Sequence, residues 1–168
     1  CYLMFLGPWD QGGDWSDSGI NGIRRWLGRV WGLAQRDEST LNGSEGERSL
    51  ERASHITTQR VITDMESFKF NTSIAALMEY TTELIRRFDA GDISANSWRE
   101  GVNRLLLQMA PFAPHLTEEL WERTGHSSSI HLELLPQFDE NLTTSDMITL
   151  AVQVNGKLRD QIEVAADI

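Results

Sequence analysis

The chain has 168 residues, 40% of them apolar and 24% charged, the composition of a folded domain and not of a disordered tail. Twenty-five acidic against fifteen basic residues leave a formal charge of −10, which excludes a general polyanion binder, so any nucleic-acid contact must come from a local basic patch. The single cysteine, Cys1, excludes an internal disulfide and a cysteine metal cluster, and no apolar run reaches the roughly 18 residues of a membrane span.

Cys1–Leu6 is apolar but short, with no starting methionine and no basic flank, so it reads as a cut through a longer chain and not as a signal peptide. Gly7-Pro8 and Gly12-Gly13 make the next stretch a loop. Ser16 or Ser18 can cap a helix that runs to about Gln35. At 100° per residue, Ile20, Ile23, Leu27, Val30 and Ala34 share one face, with Trp26 and Trp31 at its edges. Arg25, Arg29 and Arg36 share the opposite face, with Arg24 at its flank. The stretch 20–36 is the only one with net positive charge and holds no acid.

A polar linker over 37–46 precedes a second helix, from about Glu47 to Lys69, with Leu50, Ala53, Val61, Met65 and Phe68 inside. Asn71 or Thr72 can cap a third, carrying Ile74, Leu77, Leu84, Ile85 and Phe88, with Gly91 placed as its left-handed terminator. Asp92 or Ser94 opens a fourth, whose Trp98, Val102, Leu105 and Met109 recur at a 4-3-4 step until Pro111. Pro114 suits the first turn of a short fifth helix with Leu116, Leu120 and Trp121, closed by Gly125. Trp98 and Trp121 are expected at the centre of the core. The tail alternates with period two on either side of Asn155-Gly156 and reads as a β-hairpin. A three-residue loop pairs Val152 with Leu158 and Ile148 with Ile162, with Gly156 left-handed, and keeps both apolar sets on one face. The fold class expected is therefore mainly α: an antiparallel bundle of about five helices with a C-terminal hairpin.

The residues offer little catalysis. The glycine-rich stretch lacks a Walker lysine, and Asp10 to Asp14 lacks calcium-loop spacing. The four histidines show no ligand pairs, and His115 is expected to pack or cap. Glu118-Glu119 is expected in the first turn of the fifth helix, where carboxylates favour the dipole. Catalytic, cofactor and metal residues are all read as none.

Longer strings go further. Tyr2-Leu3-Met4-Phe5-Leu6-Gly7-Pro8-Trp9-Asp10-Gln11-Gly12, followed by Trp15-Ser16-Asp17-Ser18-Gly19-Ile20, resembles the segment after the signature lysine loop of bacterial leucyl-tRNA synthetases. Lys69-Phe70-Asn71-Thr72 with Ala75-Ala76-Leu77-Met78 is similar to that family's helical bundle. Met109-Ala110-Pro111-Phe112-Ala113-Pro114-His115-Leu116-Thr117-Glu118-Glu119-Leu120-Trp121 is shared with the valyl and isoleucyl relatives. Val152-Gln153-Val154-Asn155-Gly156-Lys157-Leu158-Arg159-Asp160 resembles the start of the leucyl C-terminal region.

The resemblance implies four segments. Residues 1–14 would end a connection from a catalytic domain that residues 1–6 touch. Residues 15–125 would form an anticodon-binding-type bundle, 126–146 an extended linker, and 147–168 the hairpin opening a further domain. It implies a parent that joins leucine to its tRNA with ATP in the cytoplasm. This segment would hold no cofactor and no catalytic or editing motif, and would dock tRNA(Leu) by backbone and shape, with no membrane contact. Arg24, Arg25, Arg29, Arg36, Lys157 and Arg159 are then the candidate RNA-contacting residues. The alternative is a helical protein-interaction scaffold without RNA binding, in which the arginine face is solvated surface.

Overall fold

The computed structural model describes residues 1–143, 147–154 and 157–165. Among the described residues seven α-helices run α1 (Tyr2–Phe5), α2 (Asp17–Ala34), α3 (Glu47–Glu66), α4 (Phe70–Ala90), α5 (Ala95–Met109), α6 (Pro114–Arg123) and α7 (Glu140–Thr143). Single 3-10 turns lie at Glu38–Thr40 and Ile130–Leu132.

Local chemistry sets most boundaries. The Ser16 hydroxyl accepts from the Gly19 amide at the start of α2, and Ser94 accepts from the Ser97 amide at the start of α5. Gly91 ends α4 at φ 66°, and Pro114 opens α6. Two expected boundaries move. α4 begins at Phe70, before Asn71 and Thr72, because the Thr72 and Ser73 hydroxyls turn back to the Lys69 carbonyl and leave the amide end uncapped. α3 stops at Glu66, short of Lys69. The Phe68 amide donates to the Met65 carbonyl at 3.1 Å, and the Lys69 amide to the Asp64 carbonyl at 2.7 Å. This is a Schellman ending with Phe68 in the left-handed position at φ 56°. Glycine fits that position freely, whereas a bulky side chain there is strained by about 1–3 kcal/mol.

The bundle centres on α3, α4 and α5. Arg87, near the end of α4, donates to the Ser49 hydroxyl at the start of α3, and Arg60, near the end of α3, pairs with Glu79 in mid-α4. The two helices are therefore antiparallel. α5 approaches α4 closely at Gly101, where a Cβ would lie 2.8 Å from Leu84 Cδ2 and 3.2 Å from the Tyr80 hydroxyl. Leu77, Leu84, Leu105, Leu106, Met109 and Leu120 have no solvent exposure. The whole 98-102-105-109 stripe is buried, and so is Trp121. Trp98 meets Phe88 at 4.7 Å between ring centroids, and Trp121 lies flat on His126 at 3.5 Å. The apolar residues 1–6 bear on this chain's own bundle: Tyr2 is buried, and its hydroxyl donates to the Ser16 carbonyl at 2.7 Å, while Leu3 remains exposed.

The expected fold class is corrected. The helical bundle fits, but with seven helices and not five, since α1 and α7 each span a single turn that periodicity does not register. The hairpin expected from the sequence, with Val152 opposite Leu158 and Ile148 opposite Ile162, is not present. β1 (Met147–Val154) and β2 (Lys157–Ala165) pair antiparallel with Val154 opposite Lys157, Gln153 opposite Leu158, Val152 opposite Asp160 and Ile148 opposite Val164. The register shifts between Val152 and Gln153, so the extra residue falls at Arg159 in mid-strand and not in the turn. The Asn155-Gly156 turn lies outside the described residues.

Candidate functional site

The basic helix α2 lies against α4 and α6. Its buried line is Ile23, Trp26, Val30 and Leu33, while Ile20 is 40% exposed. The inward face is thus turned by about 60° from the one the sequence suggests, at 100° per residue. The cause is specific: Trp26 Nε1 donates to Thr81 Oγ1 on α4 at 3.0 Å, and that hydroxyl donates on to the Leu77 carbonyl at 2.7 Å. An indole that finds a buried acceptor belongs at the centre of a face, not at its edge.

This rotation settles where the arginines go. Arg24, Arg25 and Arg29 are exposed. Arg25 and Arg29 line an open groove between α2 and α4, with Gly22, Trp26, Met78, Glu79 and Thr82 as its walls. Arg29 Nη2 donates to Thr82 Oγ1 at 3.1 Å. Arg36 stands apart: it pairs with Asp89 at 2.7 Å and lies 4.7 Å over the Phe88 ring. Arg36 is thus tied to α4 in the manner of the solvated alternative. Arg24, Arg25 and Arg29 form no ion pair among the described residues. Lys157 opens β2 and Arg159 sits at its register shift, so both lie on the strand pair and away from the α2 row in sequence. Thr82 was missed by sequence reasoning; its only signal was a polar residue on the α4 face that α2 covers.

Most other cations of the bundle are committed to acids. Arg60 pairs with Glu79 and Asp64, Arg99 with Glu38, and Arg123 with Glu119. Arg87 bridges Glu83 at 2.8 Å and Asp92 at 2.7 Å. Burial pushes the Glu83 carboxyl up, but the hydrogen bonds from Arg86 and Arg87 outweigh it and hold its pKa below the usual carboxylate range. Arg24, Arg25 and Arg29 form no ion pair among the described residues, although Glu79, itself paired with Arg60, shares the groove of Arg25 and Arg29.

The remaining candidates are structural. His115 is exposed and caps nothing, contrary to expectation, because α6 starts behind Ala113 without a side-chain cap. Glu118 and Glu119 fall in the second turn and not the first, since Pro114 is already helical. Glu118 accepts from the Ser129 hydroxyl at 2.9 Å and the Ile130 amide at 3.1 Å, which clamps the loop after α6. His55 Nδ1 accepts from the Asp139 amide at 2.8 Å, and Arg104 donates to the Gln137 carbonyl at 2.6 Å, so the segment before α7 is strapped across α3 and α5. Burial first, and then the Arg104 charge, lower the His55 pKa. Tyr80 is buried and lines a cleft with His55 and Arg104, and burial pushes its phenol up to about 12. Among the described residues there is no group of metal-ligating side chains, and no helix is long and apolar enough to cross a membrane.

The structure is thus a helical bundle with three exposed arginines along one amphipathic helix, none of them in an ion pair among the described residues. The chain belongs to the family of anticodon-binding domains of tRNA ligases, whose model matches residues 47–168. It is 46% identical over its whole length to a leucine–tRNA ligase of Dehalococcoides mccartyi, and 47% identical to one of Rubrobacter xylanophilus. It spans only 21% and 20% of those relatives' lengths. Among solved structures it resembles a chain of the ternary LeuRS–tRNA–LeuAMS complex of Agrobacterium radiobacter K84 agnB2. That likeness has a TM-score of 0.79 and 31% identity, and covers 100% of this chain and 23% of that one.

Proposed function

We propose that the chain is the tRNA-docking helical domain of a leucine–tRNA ligase. The observation that carries the reading is the α2 surface: among the described residues Arg24, Arg25 and Arg29 form no ion pair, in a chain whose acids outnumber its bases by twenty-five to fifteen. Exposed guanidinium groups along one rigid helix suit successive backbone phosphates. Such contacts fix the register of an RNA without reading its sequence. Lys157 and Arg159, on the strand pair, are further candidates. Joining leucine to tRNA with ATP in the cytoplasm belongs to the rest of the longer parent, and this segment supplies position and no chemistry.

The test is equilibrium binding of tRNA transcripts by the chain and its R24Q/R25Q/R29Q variant. Leucine-accepting and non-cognate transcripts should both weaken, by a similar factor. An unchanged affinity for both would show this face to be plain solvated surface.

A further inference from the structure

We infer that an aromatic shelf at the start of α4, made by Trp9 and Phe68 with Lys69 at its edge, is a stacking site for an unpaired nucleobase. The inference rests on the RNA-docking reading and adds a second contact of a different kind.

Trp9 is 57% exposed and Phe68 63%. Both are held edge-to-face on one ring, Phe70, at 5.5 Å and 5.8 Å between centroids. Phe70 in turn meets Phe112, which is buried, at 6.3 Å. The shelf is therefore rooted in the core yet leaves two large aromatic surfaces in water. Phe68 is the telling residue. It occupies the left-handed position that ends α3, with φ 56°. Glycine or asparagine would make that turn with less strain. Phe68 thus combines an unfavourable backbone with an unfavourable exposure, and neither helps the fold. Strain held in place by its surroundings is a mark of a site in use.

The surroundings fit a nucleobase with its phosphate. Gln11 and Asn71 carry amides beside the rings, suited to base edges. Lys69 is exposed, forms no ion pair among the described residues, and is one of only two lysines in the chain. Asp10 is the carboxylate on this surface, and it sets a limit on how many phosphates the shelf can take. Every base has a π-face, so stacking here is tolerant of sequence, in keeping with a domain that holds RNA by shape.

The test compares Phe68→Gly, Phe68→Asn and Trp9→Ala with the unaltered chain, using a tRNA transcript and a blunt RNA duplex of similar length. Both Phe68 variants should match or exceed the original stability in urea, because they relieve the left-handed strain. All three should lose about tenfold in affinity for the transcript, with little change for the duplex, whose bases are stacked and out of reach. Variants that bind the transcript normally would overturn the shelf, and so would Phe68 variants that lose stability together with binding. If the α2 arginine variant still weakens binding in those cases, the docking reading stands and only the shelf falls. If the unaltered chain binds neither RNA, both fall.

Discussion

The Trp26–Thr81 hydrogen bond is what turns the arginine face of α2 outward, and its removal can be worked out in advance. Replacing Trp26 by Phe removes the donor and leaves a void of roughly 40 Å³, which at ~24 cal/mol per Å³ costs about 1 kcal/mol. The broken hydrogen bond adds about 1 kcal/mol. The Thr81 hydroxyl keeps the Leu77 carbonyl as its acceptor, so no polar atom is stranded. Replacing Thr81 by Val is nearly isosteric but strands a buried indole N–H, at about 1–3 kcal/mol. The double variant has neither donor nor acceptor and should cost about 2 kcal/mol, less than the sum of the singles by about 1 kcal/mol or more. The assay is urea unfolding of the four proteins with a common slope. A cycle additive within about 0.3 kcal/mol would refute the claim that this bond fixes the rotation of α2.

Trp121 supplies the contrast, since its buried Nε1 finds no partner among the described residues; Trp121→Phe should cost less than Trp26→Phe in the same unfolding assay, and a larger loss would contradict this. Trp98→Ala, which empties the centre of the core, should cost on the order of 3–5 kcal/mol, read from the urea midpoint. His55 titrates lower in the fold than in the unfolded chain, so the unfolded state takes up its proton first and stability should fall as pH drops below about 6.5; His55→Gln should flatten that limb, and an identical pH profile would contradict it. Glu83 has a lowered pKa, so its contribution is present above the ordinary carboxylate value of about 4.5 and disappears as pH falls below it. Arg87→Met should remove part of that acid-limb loss, since Arg86 still donates to Glu83, and cost about 2–3 kcal/mol at neutral pH, because Glu83 and Asp92 lose a shared, largely buried partner.

What the sequence revealed follows what is local. Ser16, Ser94, Gly91 and Pro114 each set a boundary by their own backbone chemistry, and each acts as the sequence suggests. The 98-102-105-109 stripe is buried because one helix carries its whole periodicity. The failures are tertiary. Nothing in α2 alone shows that Thr81, 55 residues away, would draw Trp26 inward and push Ile20 out. By spacing Arg36 shares a face with Arg25 and Arg29, but α2 ends at Ala34 and Asp89 on another helix claims Arg36. Phe68 looks like one more apolar residue at helical spacing; that it leaves the helix in a left-handed turn follows from carbonyls at Asp64 and Met65 that accept from beyond it. The hairpin pattern holds two competing registers, and a shift in mid-strand reconciles them in a way that alternation cannot foresee.

The central claim is that Arg24, Arg25 and Arg29 lie on RNA phosphates, and the salt dependence of tRNA binding tests it most directly. Each phosphate deprived of its arginine should lower the slope of log K against log salt by about 0.7–0.9. Between about 50 and 200 mM salt, R24Q/R25Q/R29Q should therefore bind with a slope about 2–3 shallower than the original chain. Arg36→Gln, which removes an arginine already held by Asp89, should leave the slope unchanged. A triple variant with the original slope, or an Arg36 variant with the larger effect, would contradict the claim.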